Sequence, residues 1–204
     1  AAKKFIEQPN YELHDIYRSL EVISKETEFI EAEVYKNSLS VVNRNTKILY
    51  YDCTNYFFEI EQAEGLKQYG KSKEHRQTPI VQMGLFMDGN GLPLAFNITS
   101  GNTNEQTTLK PLEEQIMRDF EMSKFVVCTD AGLASVSNRK FNNIQSRSFI
   151  VTQSLKKIKK HLQEWALSKD GWHTLGSKKE INLNNLTEED YDKIFYKEKW
   201  INEN

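Results

Sequence analysis

The chain has little cysteine, no long apolar run and no internal repeat, and each absence removes a class of answer. Only Cys53 and Cys128 occur among 204 residues, far apart and in no metal-ligand spacing. A disulfide framework and a thiolate zinc site are both excluded, leaving two reduced, buried thiols as the expectation for a cytoplasmic protein. The four histidines, His14, His75, His161 and His173, form no HxxxH-type set, so they are read as surface or packing residues. No stretch is apolar for the length a bilayer requires, and no charged-then-apolar leader opens the chain, so no membrane partner is expected. The first residue is Ala1, not Met, which suggests a piece of a longer protein. Repeat architectures are excluded by the lack of self-similarity, and one main domain is the default for this length.

Charge of either sign is nearly balanced overall, at net −2, but it is segregated along the chain. Residues 1–64 carry net −5, residues 65–160 net +6 and residues 161–204 net −3. A polyanionic partner would be drawn to the central third.

What is present begins with Asp52. It sits inside Ile48-Leu49-Tyr50-Tyr51-Asp52-Cys53-Thr54-Asn55-Tyr56-Phe57-Phe58-Glu59, a segment that reads as buried strand. An ionised carboxylate in such surroundings is costly unless its charge is compensated. A second acid, Asp130, stands where the short apolar strand Phe125-Val126-Val127-Cys128-Thr129 stops. Two acids at two core strands suggest a divalent-metal site. Thr54 and Asn55 are candidates for supporting it.

Around these acids the periodicity gives an alternation of elements. Leu13, Ile16, Tyr17, Leu20, Ile23, Ile30 and Val34 recur at helical spacing, predicting one or two helices over 11–43. A strand follows over 47–60, then a polar basic loop over 65–76. Strands over 80–87 and 92–99 flank Asp88-Gly89-Asn90-Gly91, a hairpin signal in which Asp88 serves the turn. Thr103 and Gln106 have capping-box spacing for a helix whose buried face is Leu109, Leu112, Ile116 and Phe120, with Pro111 in its first turn. Strand 125–129, a helix over 136–145 and strand 148–152 follow. Leu155, Ile158, Leu162 and Trp165 mark a basic amphipathic helix bearing Lys156, Lys157, Lys159 and Lys160. Trp165 and Trp172 are read as packing residues, and the tail beyond Asp170 as a partly ordered end. The expected class is α/β.

Five ordered blocks resemble DDE-type insertion-sequence transposases: Tyr51–Glu59, the basic loop Tyr69-Gly70-Lys71-Ser72-Lys73-Glu74-His75-Arg76, the hairpin segments Met83-Gly84-Leu85 and Gly91-Leu92-Pro93-Leu94, the helix entry Gly101-Asn102-Thr103-Asn104-Glu105, and Val126–Gly132. The likeness covers roughly residues 12–168. It implies an RNase H-like mixed five-stranded sheet flanked by helices, with an N-terminal helical segment. The implied layout is a helical segment packing on the core over 1–46, a partial catalytic core over 47–168 and a polar segment over 169–204 that starts an insertion. Asp52 and Asp130 would be catalytic metal ligands for two Mg²⁺ or Mn²⁺ ions about 3.5–4 Å apart. Lys71, Lys73 and Arg76 would contact DNA phosphates. The partners would be transposon ends and target DNA, with a homodimer in the full-length assembly, cytoplasmic and associated with the bacterial nucleoid.

One departure is large. The family carries its third acid in a Tyr-x-x-Arg-x-x-x-Glu helix, and no such pattern exists here. The last arginine is Arg147, Tyr191 and Tyr196 fit no part of the pattern, and Glu164 comes too early. The family's DNA-end-binding domain is also missing ahead of the core. The resemblance therefore implies a transposase piece cut before its third acid and inactive alone in DNA cleavage and strand transfer. A non-catalytic DNA-binding or assembly remnant, and another RNase H-like nuclease with an unexpected third acid, are the alternatives. A Tyr-x-x-Arg-x-x-x-Glu helix beyond Asn204 would favour the first reading, a stop codon there the second, and cleavage without such a helix the third.

Overall fold

The computed structural model describes residues 10–144 and 146–202. The chain divides between Thr152 and Gln153 into two compact units. The first begins with two helices, α1 (Leu13–Lys25) and α2 (Thr27–Ser38), broken at Glu26, whose φ of −107° and ψ of 16° leave the helical range. The apolar stripe legible in the sequence does not do the packing. α1 buries no residue, and Leu13, Tyr17, Leu20 and Ile23 are all more than half exposed. The segment docks instead through Glu31, Ala32 and Tyr35 of α2. Tyr35 stacks on Phe120 at 4.8 Å between centroids, and Glu31 accepts hydrogen bonds from the Phe96 amide and from Gln115 Nε2, both at 2.9 Å. A carboxylate with both oxygens bonded substitutes for apolar contact at this joint, although burial still raises the Glu31 pKa.

Strands β1 (Ile48–Phe57), β2 (Ile80–Asp88), β3 (Pro93–Ser100), β4 (Val126–Thr129) and β5 (Ser148–Val151) form one sheet in the order β3-β2-β1-β4-β5. β1 runs antiparallel to β2, β2 antiparallel to β3, and β4 lies parallel to both β1 and β5. This mixed sheet has the expected RNase H-like order. A short turn joins β2 to β3 and a long loop, residues 58–79, joins β1 to β2; the parallel half needs crossovers, supplied by helices α3 (Leu109–Asp119) and α4 (Val136–Asn142).

Strand alternation sets the core. Leu49, Tyr51 and Cys53 of β1 are buried, with Phe86 of β2 and Val127 of β4, against Leu109, Leu112 and Ile116 of α3. Each such side chain contributes about 1.5–3 kcal/mol on burial. Pro111 lies in the first turn of α3, where its missing N–H costs nothing. The entry to that helix is not capped by Thr103: Asn104 accepts from the Gln106 amide at 3.1 Å and opens a 3₁₀ turn, Glu105–Thr107. Asn is the better cap because its carbonyl oxygen reaches the amide two residues on. Of the two thiols, Cys53 is 2% exposed, whereas Cys128 is only partly buried. Cys128 pairs across the ladder with Tyr50, on the face away from the α3 core.

The second unit corrects the reading of one basic helix. A 3₁₀ turn, Leu155–Lys157, is separated by extended backbone at Ile158 and Lys159 from α5 (Lys160–Leu167). Four lysines within five residues would crowd like charge onto the positive end of a helix dipole, so the helix starts late. The tail has structure of its own, a two-stranded pair β6 (His173–Thr174) and β7 (Phe195–Tyr196). Lys197 Nζ lies over the Trp165 and Trp172 rings at 5.1 and 4.8 Å and donates to the Ser168 carbonyl at 2.8 Å. The two tryptophans thus hold a lysine stem between them.

Candidate metal centre and nucleic-acid interface

Asp52 lies in mid-β1, between the buried Tyr51 and Cys53, so the period-two rule turns it to the opposite face with Tyr50, Thr54 and Tyr56. Its side chain is 72% exposed. The carboxylate is therefore not a buried charge demanding compensation. The aliphatic and aromatic neighbours that suggested burial point the other way or are themselves exposed.

Asp130 follows β4 directly. The β1–β4 register pairs Ile48 with Val126 and Tyr50 with Cys128. The register ends there, and Asp52 and Asp130 each stand two residues beyond its last pair. Asp130 keeps extended backbone, φ −77° and ψ 176°, which preserves the alternation that puts Cys128 and Tyr50 on one side. Its Oδ1 accepts from the amides of Gly132 and Leu133, at 3.0 and 3.2 Å, capping the short turn Ala131–Leu133. Asp52 Oδ1 accepts from the Cys53 amide at 2.7 Å. Among the described residues, the second oxygen of each carboxylate takes no hydrogen bond.

Carboxylate oxygens are the hard donors that suit a Mg²⁺- or Mn²⁺-type ion, which takes few protein ligands and keeps several waters. Among the described residues, no group of three or more His, Cys, Asp or Glu side chains could hold a metal. The two carboxylates alone do not make up such a group. Glu164 lies on α5 of the second unit, 3.9 Å from Lys160 Nζ.

The basic loop is strapped beside Asp52. Asn55 Oδ1 accepts from the Lys73 amide at 3.3 Å, and Asn55 Nδ2 donates to the Lys71 carbonyl at 3.5 Å. The loop's base is fixed by close backbone approach: a Cβ on Gly70 would overlap the Gly101 carbonyl, and one on Gly101 the carbonyls of Ile80 and Gln68. Lys73 Nζ reaches the Cys53 carbonyl and lies 3.8 Å from Asp52 Oδ1. Lys71 is exposed. Arg76 turns back onto the protein, with its guanidinium 3.7 Å from the Phe57 ring centroid and Nε 2.8 Å from Glu74 Oε2. Thr54 shares the exposed face of Asp52.

The sequence reading missed a buried network behind the sheet. Glu113, fully buried, accepts from Asn142 Nδ2 at 3.0 Å and from Arg147 Nη1 at 3.3 Å, and Arg147 covers the Phe141 ring at 4.4 Å. Burial pushes the Glu113 carboxyl up to about 7 against the lowering influence of Asn142 and Arg147. The signal was there: residue 113 falls within the stripe 109, 112, 116 and 120.

The sheet thus carries Asp52 on β1 and Asp130 just past the end of the neighbouring β4. A family model, the transposase DDE domain, matches residues 54–204, and the chain belongs to that family. DDE transposases generally use divalent metal ions. Similar solved structures include the piggyBac transposase synaptic complex with hairpin DNA, seen by cryo-EM (14% identity over 58% of this chain and 26% of that one, TM-score 0.38). Others are the Mos1 transposase paired-end complex with the left transposon end (14% identity, 62% and 40% coverage, TM-score 0.35) and the Mos1 mariner paired-end complex with Mn (13% identity, 69% and 54% coverage, TM-score 0.35). This chain spans from about a quarter to about half of the length of those proteins. No curated protein sequence gives a significant match. Among the described residues no helix is long and apolar enough to cross a membrane.

Proposed function

We propose that this chain carries the two-aspartate part of a transposase active site that cuts and joins DNA at transposon ends. What supports it most is the position of Asp52 and Asp130, each two residues past the last β1–β4 pair, on β1 and just beyond its parallel neighbour. Together they would hold one Mg²⁺ or Mn²⁺ ion; bound there, the ion would supply Lewis-acid stabilisation of charge on a phosphate oxygen. The chain's own residues do the rest of the local work. The Cys53 amide and the Gly132 and Leu133 amides fix one oxygen of each carboxylate, which orients the other. Lys71 and Lys73 line the approach as phosphate contacts, while Arg76 braces their loop on Phe57. A third carboxylate from outside this pair would complete a two-metal site.

DNA as the partner is supported by the net +6 of residues 65–160, the segment that holds the basic loop and Asp130. The division at 46/47 and 168/169, the homodimer and the nucleoid association belong to the same reading and rest on the resemblance. The test is excision of a marked transposon in cells by the intact protein. Asp52→Ala and Asp130→Ala should each lower excision by about a hundredfold or more at unchanged protein level. Excision that survives either substitution would refute the assignment.

A further inference from the structure

Lys73 is the one loop cation held against the candidate ligand itself. Its backbone is tethered: Asn55 bonds the Lys73 amide and the Lys71 carbonyl, and Ser72, buried between them, accepts from the Arg76 amide at 3.3 Å. Its side chain is different: 47% exposed, on a flexible four-carbon stem, with Nζ bonded to the Cys53 carbonyl and 3.8 Å from Asp52 Oδ1. A fixed backbone with a swinging ammonium is suited to a charge that occupies one place and then leaves it.

We propose that Lys73 is a tethered counter-ion of Asp52. Its ammonium balances the carboxylate when no divalent cation is bound, competes with that cation for Asp52, and swings outward to a DNA phosphate once the cation is in place. The inference rests on the reading of Asp52 as a metal ligand. Two cations on one carboxylate repel each other, and a lysine a few ångströms away weakens divalent binding by a modest, salt-dependent factor. Both side chains are exposed, at 47% and 72%, so the effect is small and falls with added salt.

The probe is Mn²⁺ alone, titrated into the whole chain and followed through the resonance of the free ion by electron paramagnetic resonance. Lys73→Met should bind Mn²⁺ about fivefold more tightly than the parent chain at low salt, with the gain shrinking as salt rises. Lys73→Gln, which keeps a donor for the Cys53 carbonyl, should give the same gain and controls for loop disruption. Both variants should also bind duplex DNA more weakly. Equal Mn²⁺ affinity in parent and variants, with binding still lost in Asp52→Asn, would overturn the counter-ion role and leave the metal reading standing. A gain that persists when Asp52→Asn is added would also overturn it, since the lysine would then act elsewhere. No Mn²⁺ binding in any of these chains would overturn both readings.

Discussion

Arg44 and Asp88 form an ion pair almost closed to solvent: Nε lies 2.6 Å from Oδ2, and the side chains are 3% and 0% exposed. The same Asp88 accepts from the Asn90 and Leu92 amides at 2.9 Å, and Arg44 Nη2 donates to the Leu92 and Pro93 carbonyls at 3.0 and 2.8 Å. The β2–β3 turn is thereby tied to the segment that enters β1. Burial alone would raise the Asp88 pKa, but the Leu92 amide, Arg44 and the Asn90 amide together hold it below the ordinary range.

Removing one partner leaves the other charge buried and uncompensated. Arg44→Met should therefore cost about 3–5 kcal/mol in urea unfolding. A loss below about 1 kcal/mol, the scale of an exposed pair, would contradict the buried-pair account. The sign with pH follows from the lowered pKa. The Asp88 contribution is present above the unfolded value of 3.8 and fades as pH falls through the folded one.

Glu113 has the opposite sign. Its folded pKa, about 7, exceeds the ordinary 4.5, so the folded state binds the proton more tightly. The stability it contributes is complete below pH 4.5 and is lost as pH rises through about 7. Glu113→Gln should remove this slope. Between pH 5 and 8 the variant should gain on the parent by up to about 3 kcal/mol, read from urea midpoints at each pH. Parallel stability curves across that range would show that Asn142 and Arg147 keep the carboxylate ionised.

For the loop, duplex binding should be weak, independent of sequence, and steeply reduced by added salt. Lys71→Ala should lower the slope of log affinity against log salt by about 0.9, the loss of one phosphate contact. Arg76→Ala should change that slope less and stability more, because its guanidinium is stacked on Phe57 and paired with Glu74. The triple replacement of Lys71, Lys73 and Arg76 should flatten the slope further. An unchanged slope in the triple variant would mean that DNA binds elsewhere.

Much of the sheet was legible because strands announce themselves by alternation and turn chemistry. The hairpin at Asp88–Gly91 and the α3 stripe follow from local spacing, whereas the pairing of β4 with β1 came only from the family resemblance. Asp52 shows the limit of that spacing. Alternation correctly put it opposite Cys53, yet the residue types around it suggested burial, because Tyr50 and Tyr56 are apolar in composition and exposed in place, at 43% and 54%. Hydropathy also favoured the α1 stripe for docking, whereas α2 docks through Glu31, a carboxylate made compatible with burial by two hydrogen bonds. Pairings such as Arg44 with Asp88, or Arg147 with Glu113, join residues 44 and 34 positions apart. Such contacts have no local period, so only the fold reveals them.

The central claim is that Asp52 and Asp130 share one divalent ion. Its most direct measurement is paramagnetic broadening of backbone amide signals by sub-stoichiometric Mn²⁺ in the isotope-labelled chain. The account predicts that the Cys53 amide and the Gly132 and Leu133 amides broaden together, with one titration curve, and that Asp52→Asn abolishes broadening at both places. Broadening at Gly132 and Leu133 that persists in Asp52→Asn, or that follows a different curve from Cys53, would show two unrelated carboxylates and contradict the shared site.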